Sequence, residues 1–533
     1  MTREQHEASG MVQFEPKTTQ VCQKPVSSKK VESSQNPKPI RISPERLANN
    51  IWIFAINKAS SYAGLLGIYR AGLLKLINQM GYYKRYRTDN TFQYIHETDN
   101  VIMAVEVSQI RDAVTNFVHK SKVINQDLEG ITIKASIEQQ NELFLRNSPS
   151  LFNDAVLGHL PNHNKPILHD TQTEMYFPFQ NCVVLVTENS VSQMEYPQLK
   201  DLCIWKDHII KRSFTIVADY ENAKFAKFIG NVSSNEPDRL LAFHSAIGYL
   251  LHNHSDPTTA RAVIAYDEQI AGKREPAGGT GKGLLNQGIC QLRNTAIIDG
   301  KKIKDDNQFS YQMVDERTQI ISFDDVKPDF DFLMLNSNLT TGWQIEQKRK
   351  HPFRFPADEN PKTYITCNTI LKAEGTTATR RQFVIEFSTF YSKLVQQNKE
   401  PIIETHGGMF FTNNWNQHEW NAFFTFMMNC GKYYLQNGLK FYKLRSVAEN
   451  KLLQATSDDF SEWIIKQSIM PGQDYNISEF FADFKAIYYG DDSQFKQRAF
   501  TNWLKIFSNN NGWKLECRQS HGISFGVFIA KTL

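Results

Sequence analysis

The chain has few cysteines, and these are widely separated. With no C-x-x-C pair and no histidines at a matching spacing, the sequence argues against a zinc site and against a disulfide framework. A reducing cytoplasm therefore fits this chain best. The seven cysteines are Cys22, Cys182, Cys203, Cys290, Cys367, Cys430 and Cys517.

Long apolar runs are also absent, and the N-terminus is rich in Gln, Lys, Ser and Pro where a signal peptide would be apolar. We therefore expect a soluble, intracellular protein without a membrane partner. The net charge is only +4 over 533 residues, so any nucleic-acid signal must be local. The 41% hydrophobic content is that of a folded protein.

Composition and periodicity predict four segments. Residues 1–45 form a disordered tail, and residues 46–215 form an N-terminal α+β domain. Residues 216–450 alternate strands and helices as an α/β nucleotide-binding core does. Residues 451–533 contain three predicted helices followed by two short strands, which is the pattern of a winged helix.

A glycine-rich segment is the most informative part of the chain. It ends in Gly-Lys and runs into a predicted helix, so its backbone N–H groups, the helix dipole and the lysine charge can hold the phosphates of ATP. The phosphate-binding residues are predicted to be Gly278, Gly279, Thr280, Gly281, Lys282 and Gly283.

The segment departs from the usual G-x-x-x-x-G-K-[ST] pattern at two positions. Pro276 replaces the first glycine, and Gly283 replaces the Ser or Thr whose hydroxyl would bind Mg²⁺. Taken alone, the segment is also compatible with a glycine-rich surface turn.

Two further strands end in polar residues downstream. An apolar run ends at Asp324 and Asp325, where one carboxylate would hold Mg²⁺ through water and the other would polarise the attacking water. Because Gly283 has no hydroxyl, the metal depends more heavily on Asp324. The strand Lys362–Cys367 is followed by Asn368, which would contact the γ-phosphate. Each pattern alone is also an ordinary strand-to-turn transition.

The glycine loop, the acid pair and the strand-terminal Asn lie within about ninety residues, and in this order they resemble the A, B and C motifs of the superfamily 3 helicases. These are AAA+ related replicative helicases of viruses, phages and plasmids, and the primase-helicases of phages and mobile elements are the most similar. The resemblance covers roughly residues 238–430. It implies an α/β P-loop NTPase core of the AAA+-like, superfamily 3 type.

The resemblance also implies roles for two basic segments. Lys348, Arg349 and Lys350 stand where the family has a DNA-gripping hairpin in its central channel, although a solvated charge run is the alternative. Arg380 and Arg381 stand where the family delivers an arginine finger to the neighbouring subunit, and Arg381 is favoured. A finger acting between subunits implies a ring, with a hexamer expected.

In the C-terminal unit, Lys496, Arg498 and Lys505 lie on the third predicted helix, from which a winged helix enters the DNA major groove. Many winged helices bind proteins instead, so duplex binding and protein binding both remain open here.

These features together predict an ATP-hydrolysing DNA helicase of a phage or mobile genetic element. It would form a ring, move along single-stranded DNA and unwind duplex during replication, with ATP and Mg²⁺ as cofactors and a separate primase as a possible partner. Two rivals remain, namely a replication initiator in which ATP acts only as a switch and an AAA+ remodeller of proteins.

Overall fold

The protein is described here by a computed structural model. The described residues are 40–41, 51–56, 62–87, 90–128, 130–268, 279–303, 309–327, 330–348, 352–368, 371, 379–395, 399–444, 452, 455–490, 494–520 and 523–530. The chain divides into two compact units, the first made of Met1–Gly72 and Val118–Arg146 and the second of Leu73–Phe117 and Asn147–Leu533. The predicted tail lies outside the described residues except for Ile40–Arg41.

The N-terminal region mixes short strands and helices, as the α+β prediction requires. Its strands are β1 (Ile40–Arg41), β2 (Trp52–Ile56), β3 (Tyr62–Ile68), β4 (Tyr82–Tyr86), β5 (Phe92–Thr98), β6 (Val101–Val105), β7 (Ile124–Leu128), β8 (Ile131–Ala135), β9 (Glu174–Pro178), β10 (Val183–Thr187), β11 (Val191–Met194) and β12 (Ile204–Trp205). Its helices are α1 (Arg70–Gln79), α2 (Val107–His119), α3 (Ile137–Leu151) and α4 (Asp154–Leu157).

These strands form three sheets. The first unit contains one mixed sheet of order β1-β2-β3-β8-β7. The second unit contains a sheet of order β12-β6-β5-β4, in which β12 pairs parallel to β6, and an antiparallel sheet of order β11-β10-β9. The region 46–215 is therefore divided between two compact units.

The central region alternates helices and strands. Its helices are α5 (Lys224–Val232), α6 (Pro237–Leu251), α7 (Lys282–Cys290), α8 (Asn336–Thr341), α9 (Phe390–Val395), α10 (Pro401–His406) and α11 (Gln417–Asn437). Its strands are β13 (Ala262–Asp267), β14 (Thr295–Asp299), β15 (Ile320–Val326), β16 (Gln344–Ile345), β17 (Phe353–Arg354), β18 (Lys362–Cys367) and β19 (Gln382–Phe387).

Five of these strands form one parallel sheet of order β14-β15-β18-β13-β19. Every residue of β13 and β18 is buried, because the sheet is covered on both faces. Val263 and Ala265 pack into one hydrophobic cluster, whereas Ala262, Ile264 and Tyr266 pack into the other. This alternation fixes which side chains of each strand share a face.

The C-terminal region has three helices followed by a hairpin, in the order that the sequence predicts. They are α12 (Asp458–Lys466), α13 (Ile477–Tyr488), α14 (Gln497–Asn510), β21 (Trp513–Ser520) and β22 (Ile523–Ala530), and a short strand β20 (Asp474–Asn476) pairs with β22. Aromatic residues such as Phe460, Phe484 and Phe500 form a separate core for this region. None of the described helices is long and apolar enough to cross a bilayer.

Candidate functional site

The described part of the glycine loop leads directly into the first turn of helix α7. Gly281 caps the helix at a φ of 107°, a left-handed conformation that strains any residue with a Cβ. A Cβ at Gly281 would also lie 2.7 Å from the Phe228 ring, so this position requires glycine. Gly278 lies outside the described residues.

Lys282 is the first residue of α7, and its ammonium group joins two strands. Its Nζ donates to Asn368 Oδ1 at 2.8 Å and to Asp267 Oδ2 at 2.5 Å. Asn368 Nδ2 in turn donates to Asp325 Oδ1 at 2.9 Å. Three of the residues predicted from separate motifs are therefore linked directly by hydrogen bonds.

Strand β18 makes this convergence possible because it lies between β13 and β15. Tyr364, Thr366 and Asn368 alternate along the chain, so they point to one face. The Tyr364 hydroxyl donates to the carbonyl of Lys282 at 3.2 Å. Thr366 Oγ1 donates to Asp324 Oδ1 at 2.9 Å, so the middle strand contacts both the glycine loop and the acid pair.

The acid pair sits on an irregularity of strand β15. The register with β18 shifts between Phe323 and Val326, and Asp325 has a φ of 53°. The Asp325 N–H donates to Thr366 Oγ1 at 2.7 Å, which holds this unusual backbone conformation. Such bulges re-aim side chains at the end of a strand, and here both carboxylates leave the apolar layers.

The two carboxylates have different surroundings. Asp324 is exposed, and within the described part of the chain Thr366 is its hydrogen-bond partner. Asp325 is partly buried and forms an ion pair with Lys301 as well as its bond to Asn368. The hydrogen bond that Lys301 donates to Asp325 raises the pKa of Lys301 above its ordinary value, so Lys301 stays charged.

Asp267 belongs to this site, although the sequence motifs do not include it. It is the last residue of β13 and is only 3% exposed. Its Oδ1 accepts from Thr280 Oγ1 at 2.5 Å while its Oδ2 accepts from Lys282. Its place at the end of a buried strand is the one signal in the sequence that could have drawn attention to it.

The two arginines of the predicted finger differ sharply. Arg381 is 6% exposed, and its Nη1 donates to the carbonyls of Pro257 and Ala260 at 2.8 and 3.0 Å. Arg380 is exposed two residues before β19, which is an edge strand of the parallel sheet. The Arg381 side chain is therefore held by contacts within its own chain, whereas the Arg380 side chain is accessible to solvent.

Of the predicted basic segment, the structure describes Lys348, which follows the first strand of a hairpin. Strands β16 and β17 pair antiparallel, with Gln344 opposite Arg354 and Ile345 opposite Phe353. Lys348, in the connecting loop, is exposed. Arg349 and Lys350 lie outside the described residues.

The three predicted cations of the C-terminal region lie together. Lys496, Arg498 and Lys505 are exposed at and along α14, and they line a cleft of about 940 Å³. The opposite wall is formed by β21, which contributes Arg518 and Gln519. The residues that line this cleft include four cations and no carboxylate.

A second cluster, Glu97, His163 and Cys203, has the spacing of a metal site, with ligand atoms within 4.8 Å of one another. Arg85 Nη1 lies 3.0 Å from His163 Nδ1, and because a guanidinium only donates, Nδ1 must accept. The proton then sits on His163 Nε2, 3.3 Å from Glu97, and that nitrogen has no lone pair for a metal. Burial lowers the pKa of His163 and raises that of Cys203, so these two groups stay neutral. The cluster is therefore better described as a hydrogen-bond network.

No protein family and no curated protein matches the sequence. Among solved structures, the chain is similar to the apo C-terminal region of NrS-1, with 11% identity and a TM-score of 0.36, covering 86% of this chain and 98% of that one. It is also similar to the JCV helicase, with 10% identity and a TM-score of 0.24, covering 54% of this chain and 64% of that one. At such TM-scores and identities the similarity carries no conclusion about activity.

Proposed function

We propose that this protein is a P-loop ATPase of the superfamily 3 helicase type, which assembles as a ring on DNA and couples ATP hydrolysis to unwinding during replication of a phage or mobile element. The observation that carries the proposal is the direct link Lys282–Asn368–Asp325. These residues belong to three motifs spread over 87 positions of the sequence, from 282 to 368, and the fold brings them together at the carboxyl ends of adjacent strands.

The site has the groups that phosphoryl transfer to water requires. Lys282 has three N–H donors, two of which are used in the structure, so one remains for a phosphate oxygen. Asp325, which accepts a hydrogen bond from Asn368, is positioned to orient the attacking water. Asn368 would contact the γ-phosphate while it is hydrogen-bonded to both Lys282 and Asp325. The glycine loop and the first turn of α7 supply backbone N–H groups for the remaining phosphate charge.

Magnesium is the expected metal, and the donors present fit it. Asp324 offers an exposed carboxylate oxygen, which is the ligand type that Mg²⁺ prefers, alongside water and phosphate. When bound, the metal would neutralise phosphate charge during transfer. Thr366 holds Asp324 by a hydrogen bond and so fixes the direction of this ligand.

Two basic surfaces support DNA as the partner. The β16–β17 hairpin carries Lys348, with Arg349 and Lys350 next in the chain, and it suits contact with the phosphates of a single strand. The C-terminal region combines three helices and a hairpin with the cations that line the cleft between α14 and β21, and this combination would suit the binding of duplex by a winged helix.

For the arginine finger we now favour Arg380. Its side chain is exposed at the edge of the sheet, whereas Arg381 is held by carbonyls of its own chain. A guanidinium from a neighbouring copy would stabilise the charge that spreads over the transferred phosphoryl group.

A forked DNA duplex and ATP test this function. We expect DNA-stimulated hydrolysis and strand separation, both reduced at least about 100-fold by Lys282→Ala, because a preorganised charge at the phosphates is removed. Hydrolysis without strand separation would remove the helicase proposal and leave the ATPase. The absence of nucleotide binding would remove both.

One observation favours a second function, that of an ATP-switched initiator. Gly283 cannot supply the metal-binding hydroxyl of the usual loop, and slow hydrolysis would suit a switch better than a motor. Turnover sensitive to Lys282→Ala and fast enough to support unwinding would exclude the switch.

A further inference from the structure

Two arginines on neighbouring strands exchange hydrogen bonds at the edge of the parallel sheet. Arg381 Nη1 donates to the carbonyl of Ala260 at 3.0 Å, just before β13. In the other direction, Arg261 Nη1 donates to the carbonyl of Arg380 and to that of Gln382, the latter at 3.3 Å. Two guanidinium groups therefore fasten the segment that carries Arg380 to the segment that precedes β13.

Arg261 is itself held by the core. Its N–H donates to the Tyr249 hydroxyl at 2.9 Å, and that hydroxyl donates to the Arg261 carbonyl at 2.9 Å. Tyr249 lies on α6 and is only 4% exposed. The guanidinium of Arg261 therefore reaches Arg380 from a backbone that a buried side chain fixes on both sides.

The contacts with Arg261 use the main chain of Arg380 and leave its side chain exposed. They fix the point from which the Arg380 side chain extends. An arginine that must reach the phosphoryl group of a neighbouring copy depends on such a fixed point, because a displacement of about 1 Å can cost about 100-fold in rate.

The guanidinium of Arg261 also stacks on an aromatic ring from another part of the chain. Its Cζ lies 5.0 Å from the centre of the Phe441 ring, which is the distance of a cation–π contact. The same ring packs edge to face against Phe383 of β19, with ring centres 5.0 Å apart. Phe441 is nevertheless 58% exposed, so it contributes little to the hydrophobic core.

The neighbours of Phe441 hold it in this position. The Tyr442 hydroxyl accepts from the Glu386 N–H at 2.9 Å, and the Lys440 N–H donates to Ser245 Oγ at 3.0 Å. Residues 440–442 are thus attached both to β19 and to α6. The ring that covers Arg261 is therefore fixed by the chain on either side of it.

We propose that Arg261 is a positioning residue for Arg380, and that Phe441 holds the Arg261 guanidinium in the orientation that this task requires. The inference rests on the proposed function, in which Arg380 completes the site of a neighbouring copy. It adds two residues on which catalysis in that copy depends, although neither of them touches the nucleotide.

Four variants separate this role from general stability. Arg261→Met removes the guanidinium and keeps a long side chain. Phe441→Ala removes the ring, whereas Phe441→Trp keeps an aromatic face for the cation. Arg212→Met is the matched control, because Arg212 also stacks on a ring, that of Trp420 at 3.5 Å, but has no contact with Arg380 within the described part of the chain.

The first measurement is steady-state ATP hydrolysis by each full-length variant alone. Arg261→Met should lose about tenfold or more, because Arg380 is no longer held in place. Phe441→Ala should lose about threefold, the size expected for an exposed cation–π contact. Phe441→Trp and Arg212→Met should hydrolyse ATP at the wild-type rate. Calorimetry should show wild-type ATP affinity for all four, because each keeps its own phosphate site.

The second measurement mixes Arg261→Met with an equal amount of Lys282→Ala. Subunits with Lys282→Ala have no working site but supply an intact Arg380 to the next copy. Hydrolysis should therefore recover to the level that Arg380→Ala reaches in the same mixture. A variant damaged in its own phosphate site would not recover in this way.

The outcomes separate this inference from the proposed function. Wild-type hydrolysis by Arg261→Met, or a loss that does not recover in the mixture, refutes the positioning role. If Arg261→Met unfolds in a thermal melt, the Phe441 variants decide, and equal rates for Phe441→Ala and Phe441→Trp refute the role. If Arg380→Ala alone hydrolyses ATP normally, the finger itself fails. If the wild-type protein binds no ATP, the proposed function fails.

Discussion

At the scale of single residues, Gly283 stands out because the structure does not need it to be glycine. A Cβ built at this position meets no heavy atom within 4 Å, and the residue is exposed in the first turn of α7. Gly281, two residues earlier, is sterically required. Packing therefore does not exclude a serine or threonine at position 283, and the absence of a hydroxyl there affects only the chemistry of the site.

We therefore expect Gly283→Ser to fold normally and to bind Mg²⁺ more tightly. An added metal-binding hydroxyl should lower the Mg²⁺ concentration for half-maximal ATP hydrolysis by about tenfold, which corresponds to about 1.4 kcal/mol. A magnesium titration of steady-state hydrolysis measures this.

Gly281→Ser is the matched control for this substitution. It should destabilise the protein by about 1–3 kcal/mol, since it combines a strained φ with a contact against Phe228. A loss of stability in Gly283→Ser as large as that in Gly281→Ser would contradict the open geometry at position 283.

Lys362 gives a second prediction at this scale. It is 4% exposed at the start of β18, where its Nζ donates to the carbonyl of His254 at 2.7 Å. Burial lowers the pKa of Lys362 from 10.5 to about 7, because the charged form is poorly solvated. Between pH 7 and about 10.5 the unfolded chain therefore binds a proton that the folded chain does not.

The sign follows from this difference in proton binding. The contribution of Lys362 to the free energy of unfolding should rise as the pH rises from 7 to 10 and should be constant below pH 7. In Lys362→Met this pH dependence is lost, so the free energy of unfolding of the variant exceeds that of the wild type by the largest amount near pH 7. Urea unfolding at pH 7 and pH 10 measures the difference, with Lys466→Met as the exposed control. Equal differences at both pH values would show that Lys362 is not shifted.

At the scale of elements, the strands and helices of the core and the C-terminal region were predictable because their patterns are strong. An apolar run predicted the buried strand β15, and the C-terminal region has the three helices followed by two strands that its sequence pattern predicts. Asp267 and Thr366 were not predictable, since periodicity shows which residues share a face but not which strands are neighbours. The ten residues between Glu268 and Gly279, which lie outside the described part of the chain, also separate Asp267 from its loop in the sequence.

The cleft between α14 and β21 allows a prediction at the same scale. Arg498 and Lys505 are exposed on one face of α14, and Arg518 faces them from the strand. In the full-length protein, Arg498→Ala should weaken binding to blunt duplex DNA. It should also reduce the slope of log Kd against log salt concentration by about 1. Fluorescence anisotropy over a range of salt concentrations measures both.

Lys514→Ala is the control, because Lys514 lies on the same strand β21 but outside the residues that line the cleft. An effect of Lys514→Ala equal to that of Arg498→Ala would assign the duplex affinity to general surface charge. Unchanged binding in Arg498→Ala would favour a protein partner for this region.

At the scale of the whole molecule, the division of residues 46–215 between two units could not be predicted from the sequence. Strand β6 pairs with β12 about 100 residues later, and β3 pairs with β8 about 70 residues later. Local patterns carry no information about such distant pairings, so the sequence indicates a mixed α+β region without its internal division.

The proposed ring is the feature at this scale that mutations can test most directly. If Arg380 completes the site of a neighbouring copy, Lys282→Ala disables only the site of its own subunit, and Arg380→Ala disables only the next one. Each variant alone should be inactive. In a mixture, a subunit with intact Lys282 can receive an intact Arg380 from its neighbour, so hydrolysis should recover to roughly a quarter of the wild-type rate for random assembly around a ring. Hydrolysis measured across mixing ratios should peak near equal amounts of the two variants. If the hydrolysis rate of the mixtures never exceeds the summed rates of the separate variants, Arg380 acts within its own subunit or not at all. If Lys282→Ala recovers hydrolysis when mixed with Arg380→Ala but not when mixed with Arg381→Ala, the finger is the exposed Arg380 at the sheet edge.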